Sequence, residues 1–241
     1  FDQQTYGGLQ TTTAALITLQ QSVLAPQKYD ADTDNFNTSG QVTLAYKPTE
    51  KVNAYATFAK TFKSIGLNLN GVPADANNQP ILSAATVKPE DVKHYEFGIK
   101  TSPLRNLTAN VTFFNTDIHN FQAQVFNGAV GVLRGYLANA DRVWVRGAEL
   151  ESSIAVTRNL SFYGSAAFTD GKYLSFKDAP LPIEETGASQ QFKDISGSRL
   201  PGLSKVALSA GGEQVVAGQF LGRNGQYFAA FDASYRSGFS S

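Results

Sequence analysis

With 20 basic and 20 acidic residues among 241, the chain is neutral, which argues against a nucleic-acid binder, a role that needs a basic footprint. It has no cysteine, which excludes a disulfide framework and thiolate chemistry, and only two histidines. No run approaches the ~20 apolar residues of a membrane helix, a test that alternating membrane strands escape.

The chain opens on "FDQQTYGG", without methionine, basic n-region or apolar h-region, and is read as a processed or truncated product. "TTTAALITLQQSVLA" places Ala15, Leu16, Leu19 and Val23 on one helical face, and residues 1–36 are assigned to an extracellular loop region before the first strand. From residue 37 the text alternates. "SGQVTLAY" puts Val42, Leu44 and Tyr46 on one face, "KPTEK" turns at Pro48, and "VNAYATFAKTF" returns. Ser64 to about Asp91 is rich in Asn, Gly and Pro and reads as a large loop.

"KHYEFGIKT" alternates with Tyr95, Phe97 and Ile99 on one side, and "SPLRN" is a short turn. "LTANVTFFNTDIHNFQAQVF" carries Leu107, Ala109, Val111 and Phe113 on one face. After the glycine-rich "NGAVG", a strand runs from about Val132 to Ile154. "VTRN" turns again, "LSFYGSAAFTDGKY" returns, and a second loop spans Leu174 to about Leu203. The last pair is "SKVALSAGGEQ" and "GQYFAAFDASYRSG". The strands reach or exceed the ~9–11 residues that cross a bilayer when tilted, whereas soluble sandwiches average about 5–6.

Eight long strands, with connections alternating short and long, predict an all-β fold: an antiparallel transmembrane β-barrel segment over residues 37–241. Tyr46, Phe62, Trp144, Tyr173 and Tyr235 lie near strand ends, where a barrel carries its aromatic girdles.

Within "VWVRGAELE", Glu149 and Glu151 lie roughly 6.6 Å apart on one strand face, with Leu150 on the other. A carboxylate pair at that spacing suits glycoside hydrolysis. The reading preferred is a water-filled lumen lined by Glu149 and Glu151, with Leu150 in lipid and Arg146 and Lys100 balancing the acids from neighbouring strands. "DADTDN" departs from a calcium loop, with Asn35 and Gln41 where glycine and glutamate are required. His94 and His119 lack ligand spacing, so neither a metal nor a cofactor is assigned. Nucleotide-binding glycine motifs and GxSxG are missing, and no catalytic residue is nominated. Phe126, Arg134, Tyr136, Phe192, Lys193 and Arg199, in or beside the long loops, are candidates for ligand contact.

Five stretches resemble, in order, the TonB-dependent outer-membrane receptors: "SGQVTLAYKPTEKVNAYATFAKTFKS", "VKPEDVKHYEFGIKT", "ANVTFFNTDIHNFQ", "NADRVWVRGAELE" and "DISGSRLPG". The resemblance covers most of residues 37–237. It implies that the eight strands are part of a 22-stranded barrel in the bacterial outer membrane, with a plug domain outside this chain. It further implies active uptake of a scarce nutrient, by default a ferric siderophore, driven by the TonB–ExbB–ExbD complex acting on the plug. The partners implied are lipid, the plug, the remaining strands and the small-molecule ligand. A passive small pore and a structural surface barrel or adhesin stand as alternatives.

Overall fold

The computed structural model describes residues 29–69, 71–73, 80–127, 134–181, 185 and 192–240. The short helix expected within Thr11–Ala25 lies outside them. Residues 29–39 carry no regular structure, and the strands begin at Gly40.

Eight long strands form one antiparallel sheet. They are β1 (Gly40–Thr49), β2 (Val52–Lys63), β5 (Glu90–Leu104), β6 (Leu107–Asn127), β7 (Arg134–Ala155), β8 (Leu160–Ser175), β11 (Val206–Phe220) and β12 (Arg223–Arg236). Their spatial order is β1-β2-β5-β6-β7-β8-β11-β12, so each long strand pairs with its neighbour in the chain. The sheet is open, with β1 and β12 as its two edges. Between the long strands lie the ribbon of β3 (Gly66–Leu67) with β4 (Thr86–Val87) and the ribbon of β9 (Ala179–Pro180) with β10 (Phe192–Lys193). The expected loop Ser64–Asp91 therefore contains the first ribbon and a 3-10 turn at Leu82–Ala84, and its last two residues belong to β5.

The register sorts every strand into two faces, because directly opposed residues project to the same side. One row runs Leu44, Ala56, Phe97, Phe113, Ala148, Phe168 and Val206 from β1 to β11. The next runs Tyr46, Ala54, Ile99, Val111, Leu150, Ala166, Leu208 and Tyr235. This face stays exposed: Leu44 retains 75% of its accessible surface, Phe113 52% and Phe168 51%. An apolar surface this continuous is untenable in water. On β8 it extends from Leu160 to Phe168, ~26 Å along the strand and about 20 Å at the usual tilt, close to the apolar band of a membrane barrel. Leu107, Ala109, Val111 and Phe113, expected on one face of their strand, lie on it together with Leu160, Phe162 and Phe168.

The opposite face is polar. One row reads Asn53, Lys100, Asn110, Glu151, Ser165, Ser209 and Ser234. Hydroxyl pairs bridge neighbouring strands, Thr43 to Thr57 at 2.9 Å and Ser165 to Ser209 at 2.7 Å. Where a tyrosine ring must lie flat, the facing strand supplies glycine: a Cβ on Gly98 would stand 2.4 Å from the Tyr55 ring.

The hairpin of β11 and β12 is tighter than its sequence suggests. The reading that ends one strand at Gln214 and resumes at Gly225 is corrected by a continuous ladder from Ala207↔Arg236 to Phe220↔Arg223. The turn is Leu221–Gly222, both at positive φ (51° and 75°), as a two-residue hairpin turn demands. Leucine is a poor signal for that geometry, which hid the turn.

Candidate functional site at the long-loop end

β6 and β7 are 21 and 22 residues long, so their far ends stand clear of the other staves. At Asn120 the backbone takes φ 55°, a left-handed conformation that asparagine tolerates. This bend lets Ile118 and Phe121, three residues apart, join the same cluster, which strict alternation forbids. The cluster is the most buried part of the structure. Ala123, Ala140, Val143, Tyr173, Phe176 and Ala179 form it, with Ile195 and Leu200 packed against them, so the loop after β8 is held by apolar contacts. Tyr173 meets Phe121 edge-on at 6.3 Å and Phe176 at 5.3 Å. Tyr173 is thus a core residue, not the girdle residue its position suggests.

The loop between β2 and β5 is held differently, by side-chain amides acting as strand partners. Asn68 Nδ2 donates to the Leu137 carbonyl at 2.9 Å and to that of Ala84 at 2.7 Å, while Asn68 Oδ1 accepts from the Leu137 N–H at 2.7 Å. Asn139 treats Lys88 the same way, accepting from its N–H at 2.8 Å and donating to its carbonyl at 3.0 Å. Gln122 Nε2 donates to the carbonyls of Ser64 and Lys88. Beneath them, the nearly buried carboxylate of Glu90 accepts from the Gln122 N–H at 2.9 Å and lies 3.5 Å from Lys63 Nζ. Irregular backbone buried here finds its partners in these side chains. Sequence reasoning missed all four residues. The available signal was amides inside otherwise strand-like text, "HNFQAQ" and "LANADR", where such residues are depleted.

The ligand-contact candidates separate into three places. Phe126 pairs with Gly135 and Tyr136 with Val125, at the tip of β6–β7. Phe126 is exposed, whereas Tyr136 is buried, and burial pushes its phenol up to about 12. Arg134 starts β7 opposite Asn127, and its side chain lies outside the described residues. Phe192 and Lys193 are exposed on β10, where Lys193 Nζ lies 2.5 Å from Glu185. Arg199 is exposed beside Lys172, to which it is bridged.

Glu149 and Glu151 are on the polar face, opposite Thr112 and Asn110. Near them Tyr55 donates to Glu96 at 2.7 Å, His94 bonds Thr116 at 2.8 Å, and Lys100 lies over the Tyr55 ring at 5.4 Å. The expected balancing of these acids by Arg146 is corrected. Arg146 shares the apolar face with Leu150, and its guanidinium stacks on Trp144 at 4.1 Å. His94 and His119 lie on opposite faces; His119 sits 3.8 Å from Asp117, itself held bidentately by Arg142 at 2.9 and 2.7 Å.

The sequence matches the family model described as TonB dependent receptor-like, beta-barrel, over residues 2–240. None of the curated proteins matches it significantly. Among solved structures, the ferric yersiniabactin uptake receptor FyuA from Yersinia pestis aligns at a TM-score of 0.54 and 17% identity, over 81% of this chain and 29% of that one. The siderophore receptor PiuA from Acinetobacter baumannii aligns at 0.51 and 18%, over 81% and 29%. The copper transporter OprC aligns at 0.51 and 15%, over 81% and 30%. The chain thus spans less than a third of the length of these structures, and at such identities they speak to fold alone. The family match, covering nearly every residue, is what shows that this chain belongs to the TonB-dependent receptor β-barrel family.

Proposed function

We propose that the chain is part of the barrel wall and outward loops of an outer-membrane receptor that actively imports a scarce nutrient, with a ferric siderophore as its cargo. One observation carries this reading. A family match over residues 2–240 coincides with a sheet that is apolar along the middle of one face, polar on the other and unclosed. The apolar face suits lipid. The polar face, with Glu149 and Glu151, suits an aqueous lumen or the plug domain that fills it. The chain supplies wall and loops, and the chemistry of transport belongs to the plug and to the TonB–ExbB–ExbD complex that moves it.

Cargo identity rests on the company the chain keeps. FyuA is a ferric yersiniabactin uptake receptor and PiuA a siderophore receptor, while OprC is a copper transporter. A small closed pore is disfavoured by the register. β1 pairs with β2, β12 pairs with β11, and the two do not pair with each other. Open edges of unpaired N–H and C=O groups cannot face hydrocarbon, so other strands must cover them. The test is uptake of radiolabelled ferric siderophores by iron-limited cells expressing the whole receptor, with and without TonB. Uptake that requires TonB is the expected result, and uptake indifferent to TonB would remove the reading.

A further inference from the structure

The polar face is unevenly charged. At the short-turn end of β1, β2 and β5, Lys47, Lys51 and Lys100 line one pocket of about 350 Å³, with Glu50 as the carboxylate of the lining. Toward β7 the same face turns acidic, at Glu149 and Glu151. The two sets of charges do not meet. In the row shared by Asn53, Lys100, Asn110 and Glu151, the lysine and the glutamate are two strands apart, roughly 10 Å. Among the described residues, Lys47, Lys51 and Lys100 have no carboxylate within ion-pair distance, Glu50 included.

Neutral neighbours set two of these ammonium groups instead. Lys51 Nζ donates to the Pro103 carbonyl at 3.3 Å, and Lys100 Nζ lies 5.4 Å from the centre of the Tyr55 ring. Neither contact uses more than one of an ammonium's three donors. Ser102 and Asn110 add neutral donors to the wall. The side-chain oxygen of Asn53 is shielded from water without a hydrogen-bond partner among the described residues, and calls for a donor. The volume falls in the range of small-molecule sites. Three lysines are separate point charges, here spread over three strands. They suit an anion whose charge is likewise spread over several carboxylates, whereas one compact phosphate is better matched by an arginine fork, which the pocket does not have.

We propose that Lys47, Lys51 and Lys100 form a polycarboxylate-binding pocket on the inner wall, at the end opposite the long loops. The assignment of this face to the lumen rests on the barrel reading given above. Two sources present such carboxylates: a small anion leaving the lumen, and acidic side chains of the plug. The chemistry of the pocket is the same for both.

The experiment uses the whole receptor, purified in detergent and titrated calorimetrically with metal-free citrate. Replacing all three cations with glutamine (K47Q, K51Q, K100Q) is expected to weaken citrate binding on the order of a hundredfold, about fivefold per cation. A charge-keeping variant (K47R, K51R, K100R) should bind within a few-fold of the parent, separating loss of charge from loss of fold. That pair of results assigns the pocket to a small anion. If the parent binds no citrate, carbodiimide coupling of the resting receptor decides. Coupling of these lysines to plug carboxylates assigns the pocket to the plug. Coupling only to carboxylates of the barrel strands, or no coupling, overturns the proposal. Unchanged citrate binding by the glutamine variant overturns it too, as does equal competition by inorganic phosphate, which would make the pocket a general anion site. If uptake by the parent ignores TonB, the receptor reading fails, while citrate titration and coupling still decide the pocket.

Discussion

The staves and the long-loop end solve one problem by different means. In the inner staves, between the open edges β1 and β12, backbone N–H and C=O groups are paired across the ladder, and side chains need only choose a face. Along β6 and β7, from Leu107↔Ile154 to His119↔Arg142, that choice follows strict alternation. Beyond Asn120 the ladder continues, but the chain packed against it has little ladder of its own. On one side it is held by Asn68, Gln122, Asn139 and Glu90, on the other by Tyr173, Phe176 and their apolar neighbours. A pattern can specify the first region position by position. The second depends on partners as far as 69 residues apart, as Asn68 is from Leu137.

The sharpest way to break the comparison is to charge the middle of a stave. Val111→Arg places a cation between Ile99 and Leu150, and at the bilayer midplane it should cost ~2–4 kcal/mol, read from reversible unfolding in liposomes. A cost near zero would mean that this face does not meet hydrocarbon.

At the loop end the expected loss is smaller and local. Asn68→Ala strands the Leu137 N–H and C=O together, a penalty of about 1–3 kcal/mol. Hydrogen exchange should rise at Leu137 and Lys88 while Val111 and Leu150 stay protected. Uniform loss of protection would show that clamp and staves unfold as one unit.

The hairpin turn offers a gain instead. Leu221 sits at φ 51° and is 87% exposed, so Leu221→Asn should stabilise by about 1 kcal/mol, measured as a raised unfolding midpoint. A lowered midpoint would argue that the leucine side chain is held by something besides its backbone.

The smallest effect is a titration. Tyr136 stands at the β6–β7 tip, beyond the apolar band of the staves, and its buried phenol should remain neutral at pH 10, where an ordinary tyrosine is half ionised. Since the unfolded chain loses this proton first, destabilisation should set in as pH rises past about 10 and level off near 12. Absorbance of phenolate below pH 11 at this residue would show that the tip is open to water.

What the sequence determined by itself is the alternation: which residues share a face, eight staves, and connections alternately short and long. These follow from a side-chain period of two, a local property of extended chain. The membership of Leu150 in the apolar face and of Glu149 and Glu151 in the polar one was legible for that reason. Tertiary structure alone decided the rest. Tyr173 is core and not girdle because the loop after β8 packs Phe176 against it, whereas alternation alone already sets Arg146 on the side of Leu150 and Trp144, away from the glutamates. The loop clamp was equally hidden. An asparagine carries no sign in its sequence neighbourhood of which distant backbone it will satisfy, and that pairing exists only once β6, β7 and the loop are brought together.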